Sequence, residues 1–170
     1  EITLNNYCEK DMRAVEAKFR QCGVSIMHHG SSATIRSDGH LCAAKRIETH
    51  PFPGFPTDMQ PQMTAALCFA KGTSIVIENL FENRFKYTRQ LIKMGADITV
   101  KGSVAVIKGK GALHEADMTA EDLRGGAAII VAALGAEGDS RISGLTHIDR
   151  GYYKIENDLR LLGADVERIM

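Results

Sequence analysis

The sequence has no excess of charge of either sign and no long apolar run. Lysine and arginine together number 21, and so do aspartate and glutamate. A chain without net charge gives no reason to expect nucleic acid or an acidic membrane surface as a partner. No stretch approaches the roughly 20 apolar residues of a membrane-spanning helix, and the N-terminus does not resemble a signal peptide. We therefore expect a cytoplasmic protein in which any anion site is local.

Metal-binding and redox patterns are also missing. The four cysteines are Cys8, Cys22, Cys42 and Cys68. Because they form no Cys-x-x-Cys pair and no zinc spacing, the sequence predicts buried free thiols and neither a metal nor another cofactor. The six histidines are scattered, and we expect surface or structural roles for His28, His29, His40, His50, His114 and His147.

The chain begins at Glu1 and has 170 residues, of which 44% are hydrophobic and 25% charged. This composition is typical of one globular domain with one substantial core, so residues 1–170 are expected to form a single domain. Since no initiator methionine opens the sequence, we also expect the chain to be a piece of a longer protein.

One pattern recurs three times along the chain, an amphipathic helix that closes at glycine and leads into a short strand. The copies are residues 15–26, 88–98 and 155–166, and their glycines are about seventy residues apart. Each glycine suits the left-handed position that ends a helix, which predicts helix ends at Gly23, Gly95 and Gly163.

A second kind of helix is predicted between these copies, at residues 59–70 and 123–136, each followed by a β-rich run. Alternating residues on either side of short turns predict hairpins over 25–35 and 98–107. The sequence thus indicates a repeated α/β unit whose helices pack beneath sheets. The third copy stops where a hairpin should follow, so the third unit is expected to be incomplete.

A loop with three prolines and a glycine, residues 51–56, ends just before Asp58. The prolines fix φ and push their neighbours into extended conformations, so this approach loses little entropy on ordering. A helix is predicted to begin near Thr57 or Asp58. Two interpretations of Asp58 stay open: a helix N-cap, which local sequence favours, and a catalytic carboxylate held on a fixed loop.

Three arginines occupy matching places in the repeats. Superimposing the copies puts Arg84 on Arg150, each between a strand and a glycine-terminated helix, and puts the segment that contains Asp58 on the segment that contains Arg124. Gly125 follows Arg124, and because glycine has no Cβ, the backbone there could come close to a ligand at a helix N-terminus. A cation there is unfavourable unless an anion compensates it.

Two interpretations of these arginines also stay open. They could form ordinary surface ion pairs with neighbouring carboxylates, each contributing roughly 0–1 kcal/mol. The pairs would be Arg84 with Glu82, Arg124 with Asp122 and Arg150 with Asp149. Alternatively, they could grip one shared anion, because a guanidinium binds phosphate or carboxylate through two parallel hydrogen bonds.

Four motifs, in order along the chain, resemble the UDP-N-acetylglucosamine 1-carboxyvinyltransferase family of enolpyruvyl transferases. They are residues 55–60 (FPTDMQ), 77–85 (IENLFENRF), 120–128 (AEDLRGGAA) and 147–152 (HIDRGY). The resemblance implies a two-domain clamp in which each domain contains three α/β units, with helices inside and sheets outside. This chain resembles the C-terminal domain, whose third unit is completed by strands from the start of the full-length chain.

The resemblance also implies roles for particular residues. Asp58 would contact the sugar 3-hydroxyl and act as its base. Leu80 and Phe81 would lie along the nucleotide sugar. The residues facing phosphoenolpyruvate would be Arg84, Arg124 and Arg150. The implied partners are UDP-N-acetylglucosamine, phosphoenolpyruvate and the N-terminal domain, with no metal demanded.

The family's lid cysteine and its N-terminal Lys-Asn pair belong to the half that this sequence does not contain, and no cysteine here sits in a lid-like motif. The chain alone is therefore expected to be inactive. Two alternatives are the related transferase that uses shikimate 3-phosphate and a non-catalytic module that binds a partner.

Overall fold

The computed structural model describes residues 1–169 and shows the predicted mixture of helices and strands. The helices are α1 (Glu9–Gln21), α2 (Gln60–Leu67), α3 (Thr88–Lys93), α4 (Leu123–Gly135), α5 (Leu145–Asp149) and α6 (Ile155–Leu161). The strands are β1 (Ile2–Asn5), β2 (Ser25–His29), β3 (Ser32–Arg36), β4 (Arg46–Glu48), β5 (Gly72–Ile77), β6 (Asp97–Lys101), β7 (Val104–Gly109), β8 (Asp117–Thr119) and β9 (Arg141–Ser143). Short 3-10 turns at Thr57–Met59 and Arg84–Tyr87 lead into α2 and α3.

The strands form three sheets with related topologies. The first has the order β1-β3-β2 and the second has the order β4-β5-β7-β6. In both, a strand pairs antiparallel with the second strand of a hairpin, and both predicted hairpins are present. The parallel pair β4-β5 also has a counterpart in β8-β9, which makes up the third sheet. The repeat predicted from the sequence is therefore confirmed in the strand pairing.

The third unit has fewer strands than the other two. Within residues 1–169, β9 pairs only with β8, and no hairpin accompanies this sheet. Residues 164–166, which were predicted to form a strand after α6, have no regular secondary structure. The strand prediction is wrong there because an isolated segment has no neighbouring strand with which to pair.

The three repeated helices end as their glycines predict. Gly23, Gly95 and Gly163 have φ values of 92°, 91° and 93°. After each glycine, the next amide donates to a carbonyl five residues earlier, for example Val24 to Phe19 at 3.0 Å. This arrangement satisfies carbonyls at the helix end that would otherwise lack a partner.

Helices α2 and α4 pack against each other in the interior, and the second sheet lies against α2 from outside. Most of α2 is buried, and Leu67, Leu91, Ile107 and Ile129 are among the fully buried side chains of the main core. A separate small cluster lies beneath the first sheet. The fold is thus α/β with helices inside and sheets outside, as expected.

Close packing explains the glycine pair at the start of α4. A Cβ at Gly125 would lie 3.0 Å from the Cβ of Tyr87, and one at Gly126 would lie 2.6 Å from Cγ1 of Ile148. Packing within the chain is therefore sufficient to explain both glycines. The approach of a ligand to the backbone at Gly125 stays a prediction.

The cysteine prediction is correct for only half of the residues. All four are free thiols, but Cys8 and Cys42 are exposed, whereas Cys22 and Cys68 are buried. Burial raises the pKa of Cys68 to about 12. Among residues 1–169, no group of three or more potential metal ligands is close enough to share an ion. None of the helices in this range has the length and apolarity for crossing a bilayer.

Candidate active site

The carboxylate of Asp58 lies between two guanidinium groups. Arg124 donates from Nε to Oδ1 at 2.9 Å and from Nη2 to Oδ2 at 2.7 Å. Arg84 donates from Nη2 to Oδ1 at 3.1 Å. The two arginines are 26 and 66 residues from Asp58 in the sequence, so only the tertiary fold brings this group together.

The local structure around Asp58 explains why it is free to bind arginine. Pro56 is extended, with φ −73° and ψ 136°, and the following 3-10 turn carries Asp58 just ahead of α2. The side chain of Asp58 caps no backbone amide in this turn. The N-cap interpretation is therefore wrong for Asp58. The residue at the matching position in the repeat, Asp122, is the true N-cap, since its Oδ1 accepts from the amide of Gly125 at 2.9 Å.

The same contact explains how a cation can sit at the start of α4. Arg124 lies in the first turn of the helix, where the macrodipole disfavours positive charge. The carboxylate of Asp58 supplies the compensating anion. In return, hydrogen bonds from Arg124 hold the pKa of Asp58 below its ordinary value, with the charge of Arg84 adding to the effect and burial opposing it. Asp58 is thus ionised at neutral pH.

The ion pairs expected between sequence neighbours do not form among residues 1–169. Arg84 and Arg124 bind Asp58 in place of Glu82 and Asp122. The third carboxylate, Asp149, is held by Arg168 with contacts of 2.7 and 3.0 Å. The interpretation as ordinary local pairs is therefore wrong.

Arg150 makes no hydrogen bond or ion pair with this cluster in the described part of the chain. It lies at the end of α5, which packs against α4, and its side chain is exposed. Within the described range its guanidinium makes neither a hydrogen bond nor an ion pair. The structure therefore joins three of the four predicted charged groups, Asp58, Arg84 and Arg124, by hydrogen bonds.

The loop after β5 presents two exposed apolar side chains next to the charged cluster. Leu80 is 41% exposed and Phe81 is 55% exposed. The guanidinium of Arg84 lies over the ring of Phe81, with Cζ 4.6 Å from the ring centroid. This contact is a second constraint on Arg84, besides its bond to Asp58, and it places a large apolar surface beside the charges.

One residue of the site was missed by sequence reasoning. Glu78 is only 3% exposed, and its carboxylate accepts four hydrogen bonds. Oε1 accepts from the Thr49 hydroxyl at 2.8 Å and from the amides of Leu80 and Phe81 at 2.9 and 3.1 Å, while Oε2 accepts from the Thr57 hydroxyl at 2.9 Å. The sequence did contain a signal for Glu78. Side chains alternate between the two faces of a strand, so continuing β5 by one residue places Glu78 on the buried face with Ser74 and Val76.

Comparison with known proteins shows the family to which the chain belongs. A family model described as EPSP synthase (3-phosphoshikimate 1-carboxyvinyltransferase) matches residues 1–159. A UDP-N-acetylglucosamine 1-carboxyvinyltransferase from Desulfofundulus thermocisternus is 45% identical over 99% of this chain and 69% of its own length. This chain belongs to the enolpyruvyl transferase family. The resemblance inferred from the four motifs is confirmed.

Other relatives bear on the extent of the chain. A UDP-N-acetylglucosamine 1-carboxyvinyltransferase from Clostridium botulinum is 47% identical over 99% of this chain. The chain covers 40% of that relative and 41% of a second one, from Caldanaerobacter subterraneus, which is 44% identical. The chain therefore spans about two fifths of the length of these relatives.

Solved structures agree on the fold. The enolpyruvyl transferase NikO from Streptomyces tendae superimposes with a TM-score of 0.83 at 25% identity, over 92% of this chain and 36% of its own. EPSP synthase from Acinetobacter baumannii gives a TM-score of 0.74 at 22% identity, over 98% of this chain and 39% of its own. Because this EPSP synthase is only 22% identical, its similarity to the chain shows the fold alone.

Proposed function

We propose that this chain is the C-terminal domain of a UDP-N-acetylglucosamine 1-carboxyvinyltransferase, which transfers enolpyruvyl from phosphoenolpyruvate to the sugar 3-hydroxyl in peptidoglycan synthesis. The names of its relatives support UDP-N-acetylglucosamine as the acceptor and a carboxyvinyl group as the group transferred. The fraction of those relatives that the chain spans supports a second domain that forms the opposite wall of the cleft. Because both substrates are charged metabolites, we place the reaction in the cytoplasm, where it would serve growth, shape and division of the cell wall.

The observation that carries the proposal is that Arg84 and Arg124 both bind the carboxylate of Asp58. A base for a hydroxyl proton must be ionised, and the lowered pKa of Asp58 meets that need. Phosphoenolpyruvate carries a phosphate and a carboxylate, which compete with Asp58 for the same guanidiniums. When the substrate draws the arginines away, the pKa of Asp58 rises and the carboxylate becomes a stronger base.

The proposed reaction has two stages. As the 3-hydroxyl oxygen bonds to C2 of phosphoenolpyruvate, Asp58 accepts the hydroxyl proton, and the methylene carbon takes a proton from another donor. The bond from C2 to the phosphate oxygen then breaks, the methyl group returns its proton, and the double bond forms again. The arginines stabilise charge on the departing phosphate.

The remaining predicted residues have supporting roles in this proposal. Leu80 and Phe81 offer apolar surface to the nucleotide sugar, since both are exposed beside Asp58. Arg150 is free of protein partners in the part of the chain described, so it is available to an anion on the edge of the cleft. Neither role demands a metal or another cofactor.

Mutation in the two-domain protein tests the role of Asp58. Asp58→Ala should lower kcat by about 10²- to 10⁴-fold while the fold persists, because a positioned base contributes that much. Asp139→Asn, which removes the charge of an exposed aspartate far along the sequence, is the control and should leave turnover unchanged. Full activity in Asp58→Ala would contradict the base role.

The arginines are tested separately. Arg124→Ala and Arg150→Ala should mainly raise KM for phosphoenolpyruvate, since each removes one guanidinium from a doubly anionic substrate. KM for the nucleotide sugar should change much less. Unchanged kinetics in both variants would remove these two residues from the substrate site.

The family model is named for the transferase that uses shikimate 3-phosphate, which makes that substrate a second candidate. Phosphate release from phosphoenolpyruvate, measured in the two-domain protein with each acceptor in turn, separates the two. We expect release with UDP-N-acetylglucosamine and none with shikimate 3-phosphate. Release with neither acceptor would favour a non-catalytic module.

A further inference from the structure

A chain of hydrogen bonds connects buried Glu78 to Asp58. Oε2 of Glu78 accepts the proton of the Thr57 hydroxyl at 2.9 Å. Because that hydroxyl has a single proton, its lone pairs are left to accept from elsewhere, and Nε of Arg84 donates to it at 3.2 Å. Nη2 of Arg84 then donates to Asp58 at 3.1 Å. Each bond fixes the direction of the next.

We propose that Glu78 is a positioning residue, which sets Arg84 against Asp58 by orienting the Thr57 hydroxyl. Its consequence for catalysis rests on the function proposed above, in which Asp58 is the base and Arg84 contacts phosphoenolpyruvate. Its consequence for the geometry of Arg84 does not depend on that function.

The environment of Glu78 favours this role over a purely structural one. The carboxylate is almost fully buried, yet its partners are two hydroxyls and two amides, with no cation in ion-pair distance within residues 1–169. Burying a charge without an opposite charge is costly, and a neutral side chain would fill the space at lower cost. A carboxylate differs from a glutamine in accepting hydrogen bonds at both oxygens, which is the property that Thr57 uses.

Glu78 also acts on the second side of Arg84. Its Oε1 binds the amides of Leu80 and Phe81, and the Phe81 ring lies beneath the Arg84 guanidinium. One buried carboxylate therefore fixes both the loop that carries Asp58 and the loop that carries Phe81. Arg84 is held between those two loops.

Glu78→Gln tests the proposal with little change in shape. Since Oε1 accepts two backbone amides, the oxygen of the glutamine stays on that side and its NH2 group faces Thr57. The NH2 group donates to the Thr57 hydroxyl and competes with Nε of Arg84. Glu82→Gln is the matched control, because Glu82 lies on the same loop, is exposed, and loses the same charge.

In the two-domain protein, Glu78→Gln should lower kcat by about 10- to 100-fold, as expected when a reacting group is displaced slightly. KM for the nucleotide sugar should change little, since the Leu80 and Phe81 amides keep their acceptor. Thr57→Val should lower kcat to a similar degree, and Thr57→Ser, which keeps the hydroxyl, should restore most of it. Because Glu78 and Thr57 act in one chain, the double variant should be no worse than either single variant.

The proposal is overturned if Glu78→Gln keeps kcat within twofold of the unsubstituted protein, if Glu82→Gln shows the same loss, or if Thr57→Ser is as impaired as Thr57→Val. Should Glu78→Gln fail to fold, the two Thr57 variants decide alone.

A structural measurement tests the positioning role even if the protein has no enolpyruvyl transferase activity. The Nε–H resonance of Arg84, measured by NMR, should shift in Glu78→Gln and not in Glu82→Gln, and an unshifted resonance refutes the positioning role even if no enolpyruvyl transfer is found.

Discussion

Replacing Asp58 with Asn should destabilise the folded chain at neutral pH and have no such effect in strong acid. The substitution keeps the shape of the side chain and removes its charge. Arg84 and Arg124 then face each other without the anion that holds them. The decrease in the free energy of unfolding should therefore be present when Asp58 is ionised and disappear when it is protonated.

The structure sets the expected magnitude. The Asp58 side chain is 54% exposed, and those of Arg84 and Arg124 are 16% and 34% exposed. Water screens such pairs, and exposed ion pairs contribute about 0.2–1 kcal/mol each. With two pairs, one of them bidentate, the total loss in the free energy of unfolding should be about 1 kcal/mol. Roughly 0.5 M salt should reduce it.

The sign of the pH dependence follows from the lowered pKa of Asp58. A carboxyl group whose pKa is lower in the folded state stabilises the fold above its unfolded pKa, and this stabilisation disappears as the pH falls through the folded pKa. The difference between the two proteins should be constant from about pH 7 to about pH 5 and vanish below both pKa values. Other carboxylates with lowered pKa values are present in both proteins and cancel.

Urea denaturation, followed by circular dichroism at about pH 7 and about pH 3, measures this difference, which should be smaller at the lower pH. Asp139→Asn is the control and should match the unsubstituted chain at both pH values. A difference of equal size at both pH values, or no difference at about pH 7, would refute the assignment of Asp58 as an ionised partner of the two arginines.

Three further predictions concern the scaffold, and urea or thermal denaturation checks each. Asp122→Ala should cost about 1 kcal/mol, because it removes the N-cap of α4; an unchanged midpoint would mean that the Gly125 amide finds another acceptor. Gly126→Ala should cost about 1–3 kcal/mol, because the new Cβ would crowd Ile148; neutral stability would show that α5 moves aside. Leu91→Ala should cost about 2–5 kcal/mol, because this side chain is fully buried, whereas a loss below 1 kcal/mol would indicate collapse of the cavity.

Local chemistry explains the parts of the fold that were predictable. The helix ends at Gly23, Gly95 and Gly163 follow from the left-handed conformation that glycine adopts without strain. The hairpins follow from alternation on both sides of a short turn. These features depend on residues within one or two turns of chain, so the sequence contains all that they need.

The exact role of each polar side chain was less predictable. Local sequence favoured Asp58 as a helix N-cap, yet the 3-10 turn before α2 removes it from the capping position, and Asp122 has that role in α4. The exposed positions of Cys8 and Cys42 were also missed. Both outcomes depend on what lies opposite the residue in space, which a local pattern does not contain.

The amino-acid sequence by itself determined the repeated unit, the ends of its helices and the family, and it singled out Asp58, Arg84 and Arg124 but not Glu78. Only the tertiary structure decided that Arg84 and Arg124 meet at Asp58 and that Glu78 accepts hydrogen bonds from Thr57 on one loop and from Leu80 and Phe81 on another. The reason is physical. Propensity and periodicity act between near neighbours in the chain, whereas hydrogen bonds and charge pairs depend on distances that packing alone sets.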